Sequence, residues 1–149
     1  MRTRGHAPVI ERAVARFSKL GEHGALWIAL SAAGAALDKA RRREFRDAGV
    51  TVAASFIANQ TVKLVVRRGR PDLPGLPPMV HTMSNRSYPS AHATTSVAGA
   101  RALSPLLPAP PLYALAAALA LSRPYLGVHY PSDTLAGAVL GAAVAELRR

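Results

Sequence analysis

Apolar positions along the chain fall into blocks, and no segment alternates apolar and polar residues as a half-buried strand would. Between Val9 and Leu20, the residues Val9, Ile10, Ala13, Val14, Phe17 and Leu20 share one broad helical face, with Arg12, Arg16 and Lys19 towards the other. This predicts a basic amphipathic helix, suited to a bilayer interface or to an ordinary protein surface. Ahead of it, Met1–Ala7 reads as a tail, with no apolar run directly behind it to make a signal peptide. Ala25–Leu37 is apolar and uncharged, and a basic stretch of Lys39, Arg41, Arg42, Arg43 and Arg46 follows. Ala48–Val66 is mostly apolar, with Asn59, Gln60 and Lys63 inside it. Arg67–Tyr88 is a loop, because Gly69, Pro71, Pro74, Gly75, Pro77 and Pro78 interrupt any helix. Ala91–Leu107 predicts a helix rich in small residues, and Pro105, Pro108, Pro110 and Pro111 make a turn. Leu112–Leu121 and Thr134–Leu147 predict two more helices. In the second, Gly137 and Gly141 stand four apart, as small residues do where helices pack closely. The expected fold is all-α, a compact single-domain bundle of five to six helices over residues 1–149, with residues 1–21 supplying the tail and amphipathic helix.

A perpendicular membrane span takes about 20 apolar residues, and only Ala48–Val66 approaches that length comfortably. Mean hydropathy is +0.13. The Ala/Gly-rich helices, the arginine-rich flank and the basic amphipathic start favour a small multi-span membrane protein, with a soluble helical bundle as the alternative. Trp27, Tyr125 and Tyr130 read by default as interface anchors. Cysteine is absent, which excludes disulfides, thiolate metal sites and a thiol nucleophile. The net charge of +11 admits three partners: nucleic acid, anionic lipid headgroups, or a bound phosphate. Many cations sit at helix ends beside Pro, Gly and long apolar runs, and aromatic residues are 5% of the chain. Both features weigh against nucleic acid, so the expected partners are the bilayer and a lipid-linked phosphate. Nothing in the pattern fixes the oligomeric state.

Three short motifs carry candidate chemistry. The first, Lys63 to Arg70-Pro71, ends a helix and enters a loop. Lys63 lies in an apolar stretch where an unpaired ammonium is costly, although a snorkelling lysine would read the same way. Arg67 and Arg68 can bind a substrate headgroup or only meet lipid phosphates, and the second is the expectation. The second, Tyr88-Pro89-Ser90-Ala91-His92, stands where the next helix begins. Pro and Ser suit a helix start for capping alone, but the same N-terminus offers free N–H groups to an anion, with His92 in the first turn. The third runs from Ser122-Arg123 through His129 to Asp133. A nucleophilic imidazole needs one nitrogen free and the other held by an acceptor, and Asp133 stands four residues after His129. Ser132 can cap the last helix.

The order and spacing of these motifs resemble the type-2 phosphatidic acid phosphatase superfamily, which includes the vanadium haloperoxidases and class A bacterial acid phosphatases. The first and third motifs are complete here, and the second has Ala91 where the family has Gly. That change keeps the helix start and crowds the backbone near the phosphate. The resemblance implies that His129 forms a phospho-histidine and that Asp133 orients it. It implies that His92 protonates the leaving oxygen and then activates water, while Lys63, Arg70, Ser90 and Arg123 bind phosphate. No metal or other cofactor is expected. Short integral members resemble lipid phosphatases, with polyprenyl-linked substrates such as decaprenylphosphoryl-5-phosphoribose or undecaprenyl diphosphate first, and phosphatidic acid or phosphatidylglycerol phosphate as alternatives. A vanadate-dependent peroxidase uses the same anion pocket and is the nearest rival. A non-enzymatic basic membrane or nucleic-acid-binding helical protein is the rival of another class.

Helix order alone makes one site possible. Motif one ends a helix, motif two begins one and motif three joins the last two, so all three emerge at the same end if each helix crosses. The other end receives Lys39–Arg46, the proline turn and Arg148–Arg149, which the positive-inside rule places in the cytoplasm, leaving the site outside. With Ala25–Leu37 as the first span, the basic N-terminus would break that rule, and an interfacial or re-entrant first helix removes the conflict.

Overall fold

The structure, a computed structural model, describes residues 7–82 and 84–148. The tail expected at Met1–Ala7 lies outside them except for Ala7, as does Arg149. Among the described residues the elements are α1 (Pro8–Lys19), a 3-10 turn (Glu22–Gly24), α2 (Ala25–Leu37), α3 (Arg42–Val66), α4 (Ala91–Leu103), α5 (Ala109–Tyr125) and α6 (Pro131–Leu147), with no strand. The all-α expectation therefore holds, at six helices.

Four boundaries differ from the pattern, each for a local reason. α3 begins at Arg42, so most of the basic stretch is helical. Phe45, 2% exposed, anchors that first turn against Gly34 of α2, and Arg42 Nε donates to the Ala35 carbonyl at 3.0 Å. α4 stops at Leu103 because Pro105 bars continuation. α5 starts at Ala109, because prolines are tolerated in a first turn, and runs on through Arg123 to Tyr125. It ends where Leu126 is followed by Gly127 at φ 75°, a left-handed residue that suits glycine. α6 starts at Pro131, so Ser132 lies inside it and is not its cap.

α4 is the axis of the bundle. It packs against α3, α5 and α6, and nine of its 13 residues are buried. The glycine pair of α6 makes this approach possible within the chain. A Cβ at Gly137 would lie 2.5 Å from the Ser90 carbonyl oxygen, and one at Gly141 would lie 2.2 Å from that of Thr94. Trp27 also belongs to the core and is no interface anchor: it is fully buried, its ring lies over Gly99, and Nε1 donates to Ser96 Oγ at 3.0 Å.

Much of the interior is small and polar, including Ser31, Thr51, Ser55, Asn59, Thr94, Thr95, Ser96 and Thr134. They lie beside an apolar core of Trp27, Phe45, Leu103, Leu112 and Leu119, while other large apolar side chains are exposed, among them Ile57 and Leu64 on α3 and Leu135 and Val139 on α6. α3, with 25 residues, is the one described helix long and apolar enough to cross a membrane, at roughly 38 Å by the helical rise of about 1.5 Å per residue.

Gly141→Ala is expected to destabilise the protein by about 1–3 kcal/mol, since overpacking against a backbone carbonyl outweighs the gain in helix propensity. Gly69, with nothing within 4 Å of its would-be Cβ, should accept Ala within about 0.5 kcal/mol. Thermal unfolding of both variants in one detergent is the check, and equal midpoints would refute the packing account.

Candidate active site

The three motifs meet at one end of the bundle around a cleft of about 290 Å³. Lys63 from the last turn of α3, Arg70 from the following loop, His92 from the first turn of α4, Arg123 from the last turn of α5 and His129 from the α5–α6 connection all line it. Ala91 lines it too, so the methyl that replaces the family glycine does face the cleft. The remaining wall comes from Glu22 and His23 of the 3-10 turn, Phe56 and Gln60 of α3, and His81, Thr82 and Ser84 of the loop. His23 takes a left-handed φ of 54°, uncommon for a side-chain-bearing residue, and packs edge-on against Phe56 at 5.5 Å.

Each cation is held so that part of it stays free. Lys63 is buried, and Nζ donates to the Arg86 carbonyl at 3.1 Å. It is therefore a site lysine rather than one that snorkels to the surface. Arg70 donates from Nε to the Ser84 carbonyl at 2.9 Å and from Nη1 to the Val128 carbonyl at 2.6 Å. Arg123, 7% exposed, donates from Nη1 to Ser18 Oγ at 2.8 Å, while its buried Nε has no partner.

The neighbours settle which ring nitrogens carry protons. Arg70 Nη1 stands 3.3 Å from His129 Nε2, and a guanidinium can only donate. Nε2 therefore presents its lone pair towards the cleft, and the proton sits on Nδ1, 3.6 Å from Asp133 Oδ2. That separation is an ion-pair distance and is too long for a hydrogen bond. Burial pushes the His129 pKa down to about 4, with Arg70, Arg123 and Lys63 adding to the effect and Asp133 opposing it. His92 has the opposite tautomer. Its Nε2 lies 2.9 Å from the Ser18 carbonyl, an acceptor only, so Nε2 holds the proton and Nδ1 the lone pair.

Two of the expected residues stand behind the cleft. Asp133 is fully buried, accepting from Arg68 Nη1 at Oδ1 (3.0 Å) and from the Tyr130 backbone N–H at Oδ2 (2.9 Å). Ser90 occupies the N-cap position of α4, but its backbone N–H donates to the Asp133 carbonyl at 2.9 Å and its buried hydroxyl has no partner. Ser90 is not among the residues that line the cleft, although its neighbour Ala91 is.

Arg68 corrects the sequence reading as well. Its guanidinium is engaged within the chain: it pairs with Asp133, donates to Ser132 Oγ at 2.9 Å and lies over the Tyr130 ring at 4.0 Å. Tyr130 is thereby a stacking partner of Arg68. Arg67, at the left-handed C-cap of α3, is the exposed member of the pair. Sequence reasoning also missed Asn59, whose Nδ2 donates to the Pro89 carbonyl at 3.2 Å and Thr94 Oγ1 at 2.9 Å and so holds motif two in place. Its one signal was a carboxamide inside an apolar helix. Ser87 is a second omission, with its hydroxyl donating to the Gly69 carbonyl at 2.7 Å and joining the first loop to the second motif.

The profile of the PAP2 superfamily matches residues 45–148 of this chain. A decaprenylphosphoryl-5-phosphoribose phosphatase of Mycolicibacterium smegmatis is 45% identical over 122 residues, covering 80% of this chain and 67% of that protein. The protein of the same name from Mycobacterium tuberculosis is 42% identical over 133 residues, covering 87% of this chain and 73% of its own. In fold, the chain is similar to a transmembrane PAP2 type phosphatidylglycerolphosphate phosphatase from Bacillus subtilis. The TM-score is 0.79 at 24% identity, over 96% of this chain and 76% of that one. It is also similar to LpxE of Aquifex aeolicus, with a TM-score of 0.84 at 20% identity, over 99% of this chain and 88% of that one.

Two outcomes follow from the geometry. Arg68→Ala strips the buried Asp133 of its charged partner and should cost about 1–3 kcal/mol of stability, whereas Arg67→Ala should change it by less than about 0.5 kcal/mol. Unfolding midpoints of the pair decide. The His129 pKa lies below the ordinary value of 6.5, so the ring stays neutral as pH falls through 6.5 and gains its proton only near 4. The ring Cε1–H resonance, assigned by its loss in His129→Gln, should stay fixed between pH 8 and pH about 5.5. Movement centred near 6.5 would refute the assignment.

Proposed function

The chain belongs to the PAP2 superfamily, and on that footing we propose that it is a membrane lipid phosphate phosphatase, a phosphoric ester hydrolase working through a phospho-histidine at His129. Its substrate is a polyprenyl-linked sugar phosphate of the decaprenylphosphoryl-5-phosphoribose class. The observation that carries the reaction is the lone pair of His129 Nε2 facing a cleft lined by Lys63, Arg70 and Arg123, with Asp133 behind the ring. The two relatives above 40% identity favour the substrate class. A wall that mixes Glu22 with Thr82 and Ser84 suits sugar hydroxyls better than an acyl glycerol.

In the first half-reaction, the ester phosphate lies among Lys63, Arg70 and Arg123, and most of the catalysis is positioning and charge stabilisation. The ester enters as its monoanion, whose proton passes to His92 Nδ1; Nε2 of His129 attacks phosphorus, the phosphorus–oxygen bond to the sugar breaks, and the departing oxygen takes that proton from His92 Nδ1. The phosphorylated imidazole carries a positive charge, which the Asp133 carboxylate offsets from the Nδ1 side. In the second half-reaction His92 Nδ1 takes a proton from water, the oxygen attacks phosphorus, and the phosphorus–nitrogen bond breaks to return His129 and release orthophosphate. The protein's own cations carry the charge stabilisation in this scheme.

The exterior supports the membrane reading. The many small polar residues packed between helices, and the large aliphatic side chains exposed on α3 and α6, match helices that pack closely in lipid. Lys39, the arginines of the first turns of α3 and Arg148 gather at the end away from the cleft. By the positive-inside rule that end is cytoplasmic and the site opens outward, with several spans crossing between.

Phosphate release from a panel of lipid phosphates, in mild detergent with EDTA present, tests the proposal. The phosphoribosyl polyprenyl lipid is expected to rank first, and His129→Ala to lose about a thousandfold or more. No release from any lipid, or equal release by the mutant, would reject it.

A further inference from the structure

α1 is tied to the bundle in an unusual place. Its apolar face is largely uncovered, with Val9 70% and Ile10 49% exposed, and its one buried residue is Ser18, at 1%. Ser18 receives three hydrogen bonds from motif residues, besides the Gly21 N–H that its carbonyl accepts at 3.1 Å as α1 ends. Its Oγ accepts from Arg123 Nη1 at 2.8 Å and from Ser122 Oγ at 3.0 Å, and its carbonyl accepts from His92 Nε2 at 2.9 Å. Among the described residues, Arg123 has no other side-chain hydrogen bond, and its buried Nε is unpartnered. The direction of that guanidinium is therefore set at a single point. Ser18 precedes residues 45–148, the stretch that the family profile matches, while its partners lie within it.

We propose that Ser18 is a positioning residue of the phosphate site. Its hydroxyl aims Arg123 at the bound phosphate, its carbonyl holds His92 with Nδ1 free for proton transfer, and α1 is thereby part of the catalytic assembly. The proposal rests on the phosphatase reading only in taking the anion in the cleft to be a phosphate. With the hydroxyl gone, the guanidinium can turn about its stem, and the donors Nε and Nη2 no longer point where the phosphate oxygens lie. The carbonyl survives a side-chain substitution, so the hydroxyl can be tested without disturbing His92.

The test is orthovanadate binding by calorimetry in detergent, together with kcat and KM on the best lipid, for wild type, Ser18→Ala, Ser18→Thr, Arg123→Ala and the Ser18→Ala/Arg123→Ala double variant. Ser18→Ala should weaken vanadate binding and lower kcat/KM by about 10- to 100-fold, the worth of a hydrogen bond to a charged group. Ser18→Thr, which keeps the hydroxyl, should recover to within about threefold of wild type. The double variant should be no worse than Arg123→Ala alone, because the serine acts through the arginine; a merely structural serine would give additive losses. Wild-type behaviour of Ser18→Ala, or additive losses in the double variant, would overturn the proposal. If wild type binds vanadate but hydrolyses no lipid, the phosphatase reading falls and the vanadate arm still decides on Ser18. If wild type binds no vanadate, both fall.

Discussion

One buried carboxylate holds the site together. Asp133 has no exposed side-chain surface and stands where the three motifs touch. Its Oδ1 pairs with Arg68 of the loop after α3, its Oδ2 takes the Tyr130 N–H and faces His129, and its backbone carbonyl receives the Ser90 N–H at the start of α4. A buried charge is tolerated only when it is paired and hydrogen-bonded, so these contacts constrain one another. Arg68 must come in from the loop, the first turn of α6 must close on Tyr130, and α4 must begin beside them. The proposed catalytic pair, His129 and Asp133, thus also marks the point at which the loop, α4 and α6 are fixed relative to each other.

Charge balance makes the site one for an anion. Lys63, Arg70 and Arg123 converge on the cleft, and the carboxylate nearest to His129 is already engaged by Arg68. Grouping cations with low exposure is unfavourable unless something negative joins them, and a phosphate dianion with several acceptor oxygens supplies that charge. The same surplus has a second effect. It adds to burial, the larger cause, in keeping His129 unprotonated, so the field that attracts the substrate also helps to preserve the lone pair that attacks it. Binding and nucleophile activation follow from one arrangement of charges.

The helices were legible in the chain because apolar blocks bounded by prolines and charges have few other solutions, and the one-ended site was legible because helix order alone puts the three motifs together. Lys63, Arg70, Arg123, His92, His129 and Asp133 could be named because their spacing is tied to helix starts and ends. What stayed hidden depends on contacts between distant segments. Ser18 meets Ser122 and Arg123 across more than a hundred residues, and a serine in an amphipathic helix carries no mark of that. Arg68 resembles its neighbour Arg67 in sequence, and only the fold gives one of them a buried carboxylate. Trp27 reads as an interface residue until Gly99 is seen to make room for its ring. Ser90 and Ser132 suit helix caps by composition, yet Ser90 stands at the N-cap of α4 without a capping bond from its hydroxyl, and α6 takes Tyr130 as its N-cap and leaves Ser132 inside.

Packing and chemistry are not separate properties in this bundle. The first turn of α4 carries His92, the first turn of α6 carries Asp133, and the distance between them is set by how closely the two helices approach. Gly137 lies against the Ser90 carbonyl, one turn beyond Asp133 and two residues before His92, so the absence of a Cβ there allows both first turns to reach the same cleft. A side chain at that position would push the start of α4 outward and carry His92 away from His129. In a helix whose opposite face shows Leu135 and Val139, the residue that looks least chemical, a glycine, therefore limits the reaction as directly as the histidines do. The contact between α4 and α6 is built from small residues because the two first turns have to meet beside the cleft, and the larger apolar side chains go to the core on the other side of α4 or to the exterior.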